Sequence, residues 1–186
     1  MIIGITGRSG AGKSYLAETL ARSLDLIHIE IDKISHEVLS FDESKKFLLN
    51  EFGTEIFDNR ILNRKLLGKI VFSNQEKLDK LNHFCQIEME KKIDEIIANS
   101  KKSIILDYAL LCGLKQFDNC DIKILLKADL DTRYSRVKMR ENISKEYFIS
   151  RDNTLSDFEE KHFDYVFHHI TENEINSLIE QLKSKL

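Results

Sequence analysis

A chain of 186 residues, 42% hydrophobic and 32% charged, is long enough to bury one sizeable core without a disulfide or metal staple. Its formal net charge of -3 offers no surplus of cations for gripping nucleic acid, and no apolar run reaches bilayer length, so neither nucleic acid nor a membrane is expected as a partner. Cys85, Cys112 and Cys120 are too scattered for a zinc or redox pair and read as reduced thiols packed in the core.

The opening Met1-Ile2-Ile3-Gly4 lacks the basic leader of a secretory signal, which fits a cytoplasmic protein, expected as a monomer. Ile2 to Thr6 reads as a buried strand running into a glycine-rich turn. A helix follows from Ser14 to Leu24, because Leu16, Ala17, Leu20, Ala21 and Leu24 recur at three and four residues. Ile27 to Ile31 reads as a second strand with Asp32 at its carboxyl end, which completes a βαβ unit and implies parallel strands.

Ser35 to Phe72 carries a helical pattern broken at Phe52-Gly53 and again at Asp58-Asn59. Glu76 to Asn99 then predicts one long amphipathic helix. Ser103 to Asp107 and Asp121 to Lys127 are nearly continuous in Ile and Leu, as fully buried parallel strands are. A last strand is predicted at Asp164 to His168 and a closing helix from Glu172 to Leu186. His168 and His169 would alternate faces on that strand and cannot serve one metal. No structural metal is predicted, and His83 reads as an exposed or capping histidine rather than a substrate contact.

Between the last two strands, Arg133, Arg136, Lys138, Arg140, Lys145 and Arg151 are opposed only by Glu141 and Glu146. A solvated helix surface accounts for such a run. The alternative is an arm that closes over phosphates, since Arg133, Arg136 and Arg140 stand at i, i+3 and i+7 and share one helix face.

Gly7-Arg8-Ser9-Gly10-Ala11-Gly12-Lys13-Ser14 matches G-x-x-x-x-G-K-[ST] and lies between a predicted strand and a predicted helix. A polyphosphate needs a concave array of backbone N–H donors, and glycines permit the close approach that a Cβ would block. The helix start adds its positive dipole end. In this pattern Lys13 reaches the β- and γ-phosphates of ATP and the Ser14 hydroxyl ligates Mg2+. Tyr15, next in the helix, joins Gly7 to Ser14 as an expected ATP contact.

A phosphate loop is shared by switches, motors and kinases. Where a guanine-specific switch carries [NT]KxD, this chain reads Leu126-Lys127-Ala128-Asp129, which excludes that class. A small-molecule kinase needs a group that aims the acceptor hydroxyl. Asp32 suits that role at a strand's carboxyl end, and it also suits the N-cap of a helix starting at Lys33; the two are not exclusive. Asp107 closes Ile104-Ile105-Leu106-Asp107, a Walker B-like strand, and is a candidate to hold Mg2+ through water.

These elements resemble the dephospho-coenzyme A kinase family. Gly4-Ile5-Thr6-Gly7 leads into the GKS loop, and Ile31-Asp32-Lys33-Ile34 follows where the family has D-A-D-x-I. Further matches come in order at Phe52-Gly53, Leu62-Asn63-Arg64-Lys65-Leu66-Leu67, Val71-Phe72, Leu81-Asn82, Ala109-Leu110-Leu111, the pair Arg136 and Arg140, and Asp164-Tyr165-Val166. The resemblance implies an α/β P-loop kinase in three layers: one domain over 1–186 with a five-stranded parallel sheet, a helical substrate-binding insertion at about 35–99 and a lid at about 133–155. It implies transfer of the ATP γ-phosphate to the ribose 3′-hydroxyl of dephospho-coenzyme A.

By the same resemblance Asp32, Lys13 and Arg140 are the catalytic residues, Arg136 and Arg140 join the phosphate loop on ATP, and Asp32, Arg64 and Asp107 lie on the substrate side. The departures cluster around the acceptor. Cys85-Gln86-Ile87 stands where the family has histidine-proline, Ala109-Leu110-Leu111-Cys112-Gly113 lacks the proline and glutamate of P-L-L-x-E, Glu30 replaces the first aspartate of D-A-D, Arg133 replaces a lid glutamine and His169 an asparagine. Another nucleoside or nucleotide acceptor, or a nucleotide sensor without catalysis, therefore stays open at this level.

Overall fold

The computed structural model describes residues 1–59, 61–153 and 158–186, and only the backbone of Phe72 and Arg151. The end of the expected arm at 154 and 155, and the Phe72 and Arg151 side chains, lie outside the described residues. The chain divides into two compact units, Met1–Glu30 with Asn99–Leu186, and Ile31–Ala98.

In the first unit, strands β1 (Ile2–Thr6), β2 (Ile27–Glu30), β5 (Ile104–Asp107), β6 (Ile122–Lys127) and β7 (Tyr165–His168) form one parallel sheet in the order β2-β5-β1-β6-β7. Strand β1 is central and covered on both faces: Ile3 and Ile5 on one face and Gly4 and Thr6 on the other are buried, and Leu16, Ala17 and Leu20 of helix α1 (Lys13–Leu24) pack with Ile3 and Ile5. Leu178 and Leu182 of helix α8 (Glu172–Lys183) pack into the same cluster. Burying each such side chain is worth about 1.5–3 kcal/mol, the main force fixing the sheet. Helix α8 starts on a capping box in which Thr171 and Glu174 satisfy one another's backbone N–H groups.

The chain leaves β1 for β2 on one side, while the connection from β5 returns to β6 on the other. Crossovers that part in this way open a crevice at the carboxyl end of β1, where ligands of doubly wound sheets collect. The phosphate loop occupies that end.

The second unit holds helix α2 (Ile31–Glu37), a 3-10 turn at Val38–Ser40, helix α3 (Asp42–Phe52), strands β3 (Phe57–Asp58) and β4 (Ile61–Leu62), helix α4 (Arg64–Phe72) and the long helix α5 (Gln75–Asn99), which continues by one residue into the first. Its core gathers Leu48, Phe52, Ile56, Leu67, Val71 and Leu81, and Phe47 stacks on Phe84 with ring centroids 4.0 Å apart.

The break expected at Asp58-Asn59 takes the form of an antiparallel hairpin, in which Asn59 turns at φ 49° and Phe57 pairs with Leu62. Two expectations change here. Asp32 is neither the end of a strand nor an N-cap, because β2 stops at Glu30 and α2 starts at Ile31; it sits in the first turn, where a carboxylate suits the helix dipole. His169 also leaves the strand pattern, since β7 ends at His168 and His169 adopts φ 57°.

The thiols divide as well. Burial raises Cys120 to about 12, and burial likewise lifts the half-buried Cys85 to about 11 against the opposing charge of Arg64. Cys112 is exposed, so core packing does not describe it.

Candidate active site

The loop from Gly7 to Ser14 joins β1 to α1. Gly7 and Gly10 adopt φ of 145° and 82°, a region that favours glycine. Their lack of a side chain is also a packing need. A Cβ on Gly7 would overlap the Leu126 carbonyl oxygen, and one on Gly10 would lie 2.5 Å from the carbonyl oxygen of Arg133. Gly10→Ala therefore combines backbone strain with overlap against rigid backbone, and we expect a loss of roughly 2–4 kcal/mol in urea unfolding. A loss under about 1 kcal/mol would mean that the loop is not held where it is seen.

Gly12 is the N-cap of α1 and, lacking a side chain, leaves the first turn without a side-chain cap. An anion fits such a helix start by donor geometry and by dipole. Lys13 is half-buried at the first helical position, whereas Ser14 and Tyr15 are exposed. Hence the lysine and hydroxyl called for by the motif sit together on the mouth of the loop.

Asp107, the last residue of β5, is 4% exposed and pairs with Ile5 and Glu30 on the flanking strands. Its carboxylate lies 3.4 Å from the Nε2 of His28, a contact longer than a well-formed hydrogen bond. Asp32 in α2 and Arg64 in α4 are exposed. Arg64 donates from Nη2 to the His36 carbonyl oxygen at 3.1 Å, and Asn63 caps its helix by accepting from the Leu66 N–H. Both residues belong to the second unit.

The basic segment forms helices α6 (Leu130–Glu141) and α7 (Lys145–Asp152). The arginines at 133, 136 and 140 do not act as one face. Arg136 donates to the Gly10 carbonyl oxygen at 3.0 Å and so touches the phosphate loop. Arg140 is exposed and bonded to its neighbour Glu141. Arg133 turns inward with only 5% exposure and holds Asp152 through two hydrogen bonds of 2.6 and 2.8 Å. The reason is periodicity: Val137, four residues on, is buried, and Arg133 shares that inward row.

Asp129, at the position where a guanine-reading aspartate would stand, caps α6 instead. It accepts from the Thr132 N–H at 2.8 Å and from its hydroxyl at 2.7 Å. Those bonds hold its carboxyl below the usual value.

Sequence reasoning missed Asp152. Only its spacing from the basic run was visible, and nothing local pairs it with Arg8 in the phosphate loop, whose Nη1 donates to its backbone oxygen at 2.6 Å across 144 positions of sequence.

A family model described as dephospho-CoA kinase matches residues 1–183 of this chain. A protein of Fusobacterium nucleatum named dephospho-CoA kinase is 34% identical over 152 residues, covering 78% of this chain and 76% of that protein. Among solved structures, TT1252 from Thermus thermophilus superposes with a TM-score of 0.80 at 25% identity, covering 100% of this chain and 97% of that one. A dephospho-CoA kinase from Campylobacter jejuni shares the fold at a TM-score of 0.69 and 23% identity, with 100% and 98% covered.

Proposed function

We propose a division of labour among the site residues that starts from one premise: the chain belongs to the dephospho-CoA kinase family, which phosphorylates dephospho-CoA at the expense of ATP. The observation that carries the reading is the loop Gly7–Ser14, set between the central strand and α1 at the sheet's carboxyl edge.

In this reading the loop amides and Lys13 hold the β- and γ-phosphates of ATP. Arg136 and Arg140 add positive charge where the migrating phosphoryl group gathers negative charge. Asp32 accepts the proton of the acceptor's ribose 3′-hydroxyl, or aims that hydroxyl in line with the γ-phosphorus, and Arg64 contacts the same substrate. The hydroxyl oxygen forms a bond to the γ-phosphorus, the bond from that phosphorus to the bridging oxygen breaks, and ADP leaves.

The Ser14 hydroxyl and the Asp107 carboxylate, the latter acting through water, are hard oxygen donors of the kind Mg2+ takes. They would hold the ion beside ATP, where it neutralises phosphate charge. No helix among the described residues is long and apolar enough to cross a membrane. Free thiols at Cys85, Cys112 and Cys120 support a reducing compartment, and hence a cytoplasmic enzyme, which we read as a monomer.

Purified protein with Mg-ATP and dephospho-CoA is expected to release ADP and CoA one for one. Folded, ATP-binding protein that made no CoA would overturn the reading. A panel of nucleosides and nucleotides should give kcat/KM values at least about 100-fold lower than dephospho-CoA, since a pocket built to hydrogen-bond one substrate rejects analogues that leave its polar groups unpaired.

A further inference from the structure

We infer that Asp152, at the end of α7, is a positioning residue that sets the shape of the phosphate loop through Arg8 and Arg133. The inference rests on the reading that the loop Gly7–Ser14 holds ATP.

Asp152 is 8% exposed and receives two arginines from different elements. Arg133 of α6 is bidentate on its carboxylate at 2.6 and 2.8 Å. Arg8 of the loop approaches the same carboxylate at 3.2 Å and donates to the residue's backbone oxygen at 2.6 Å. Arg133 also donates from Nε to the Ala128 carbonyl oxygen at 3.1 Å and reaches the Ser9 carbonyl oxygen at 3.4 Å. One buried acid thus gathers two cations that both grip the loop, Arg8 as part of it and Arg133 through Ser9.

Burial by itself raises the Asp152 carboxyl, yet the hydrogen bonds and charge of Arg133, followed by those of Arg8, outweigh it and hold the group below its usual value. The acid is therefore ionised in the neutral range, and the pairing is between full charges. Fork-to-fork contact with a carboxylate fixes the plane of the Arg133 guanidinium, which a point charge would not do.

The consequence concerns the loop's concavity. Its N–H groups stabilise a triphosphate only if they already point inward when ATP arrives. The Gly10 backbone packs directly against Arg133, and Arg136 hydrogen-bonds the Gly10 carbonyl, so the loop rests on α6. Without a charge at Asp152 the two guanidiniums repel each other. Arg8 and Arg133 both line a cavity of about 470 Å³ with Leu126, Lys127, Ala128 and Phe158, which gives them room to move apart. Ser9 and Gly10 would then lose their rest.

The test compares Asp152→Asn, Asp152→Glu and Arg8→Gln with wild type, by calorimetry for ATP, steady-state kinetics and thermal melting. ATP binding by wild type is measured first; its absence would refute the loop reading itself and is thereby distinguished from failure of this inference. Asp152→Asn is expected to raise the KM and Kd for ATP about tenfold or more while the KM for dephospho-CoA stays within about twofold. Asp152→Glu, which keeps the charge, should recover most of the loss. Arg8→Gln should also weaken ATP binding, and Arg8→Gln with Asp152→Asn should fall short of the product of the two single effects, because both act through one network.

A lowered melting temperature with unchanged ATP affinity would make Asp152 a merely structural residue and overturn the inference. Strictly multiplicative effects of the two substitutions would do the same. If Asp152→Asn does not fold, Arg8→Gln decides the matter alone: unchanged ATP affinity in that variant overturns the proposal.

Discussion

Lys13→Ala is expected to lower kcat/KM for CoA formation by roughly 10³-fold, about 4 kcal/mol of transition-state stabilisation. The argument is electrostatic. Lys13 stands at the first position of α1, half-buried, where the dipole end and its own ammonium act on the same phosphates. Negative charge on the oxygens around the β,γ-bridge changes as the phosphoryl group departs, so a fixed cation there acts on the transition state more than on bound ATP. The melting temperature should move little, since Lys13 is not among the core residues of the sheet. Assay of CoA by its thiol, beside ATP titration by calorimetry, separates the two effects. A loss confined to ATP affinity, with kcat intact, would remove Lys13 from the chemical step.

Asp32→Asn is the second large effect, with kcat expected to fall by roughly 10²- to 10³-fold while ATP affinity stays within about twofold. An amide of the same shape cannot take up a proton and does not attract the hydroxyl hydrogen as a carboxylate does. Asp32 lies in the first turn of α2 and is exposed, outside the hydrophobic core, so its replacement by an amide of the same shape removes a dipole contribution of about 0.3–1 kcal/mol and opens no cavity. Folding is thus a poor explanation for lost turnover in this variant. Turnover at the wild-type rate would exclude Asp32 from the mechanism, and equal loss of ATP affinity would place it on the nucleotide instead.

Much of the fold was legible because its signals are short. The run Ile2–Thr6, the three- and four-residue spacing of Leu16, Ala17 and Leu20, and the strands ending at Asp107 and Lys127 are each written within a few residues, and the observed bounds differ by at most a residue or so. The hairpin around Asn59 escaped because strands of two residues carry no period to detect. Arg133 was misplaced for the opposite reason. Its helical spacing from Arg136 and Arg140 was read correctly, yet spacing says nothing about which residues of a row turn toward the core when a buried acid awaits them.

By itself the sequence determined the phosphate loop, the βαβ start, the helix and strand periods and, through residues quoted along nearly its whole length, the family. All of these depend on interactions among near neighbours in the chain, where backbone sterics, caps and side-chain periodicity act before any long-range contact forms. Only the tertiary structure decided the strand order β2-β5-β1-β6-β7, the inward turn of Arg133 and the meeting of Arg8 with Asp152. Those depend on which distant surfaces bury one another. A buried carboxylate takes whatever cations packing brings within reach, and no local pattern at residue 8 announces a partner at residue 152.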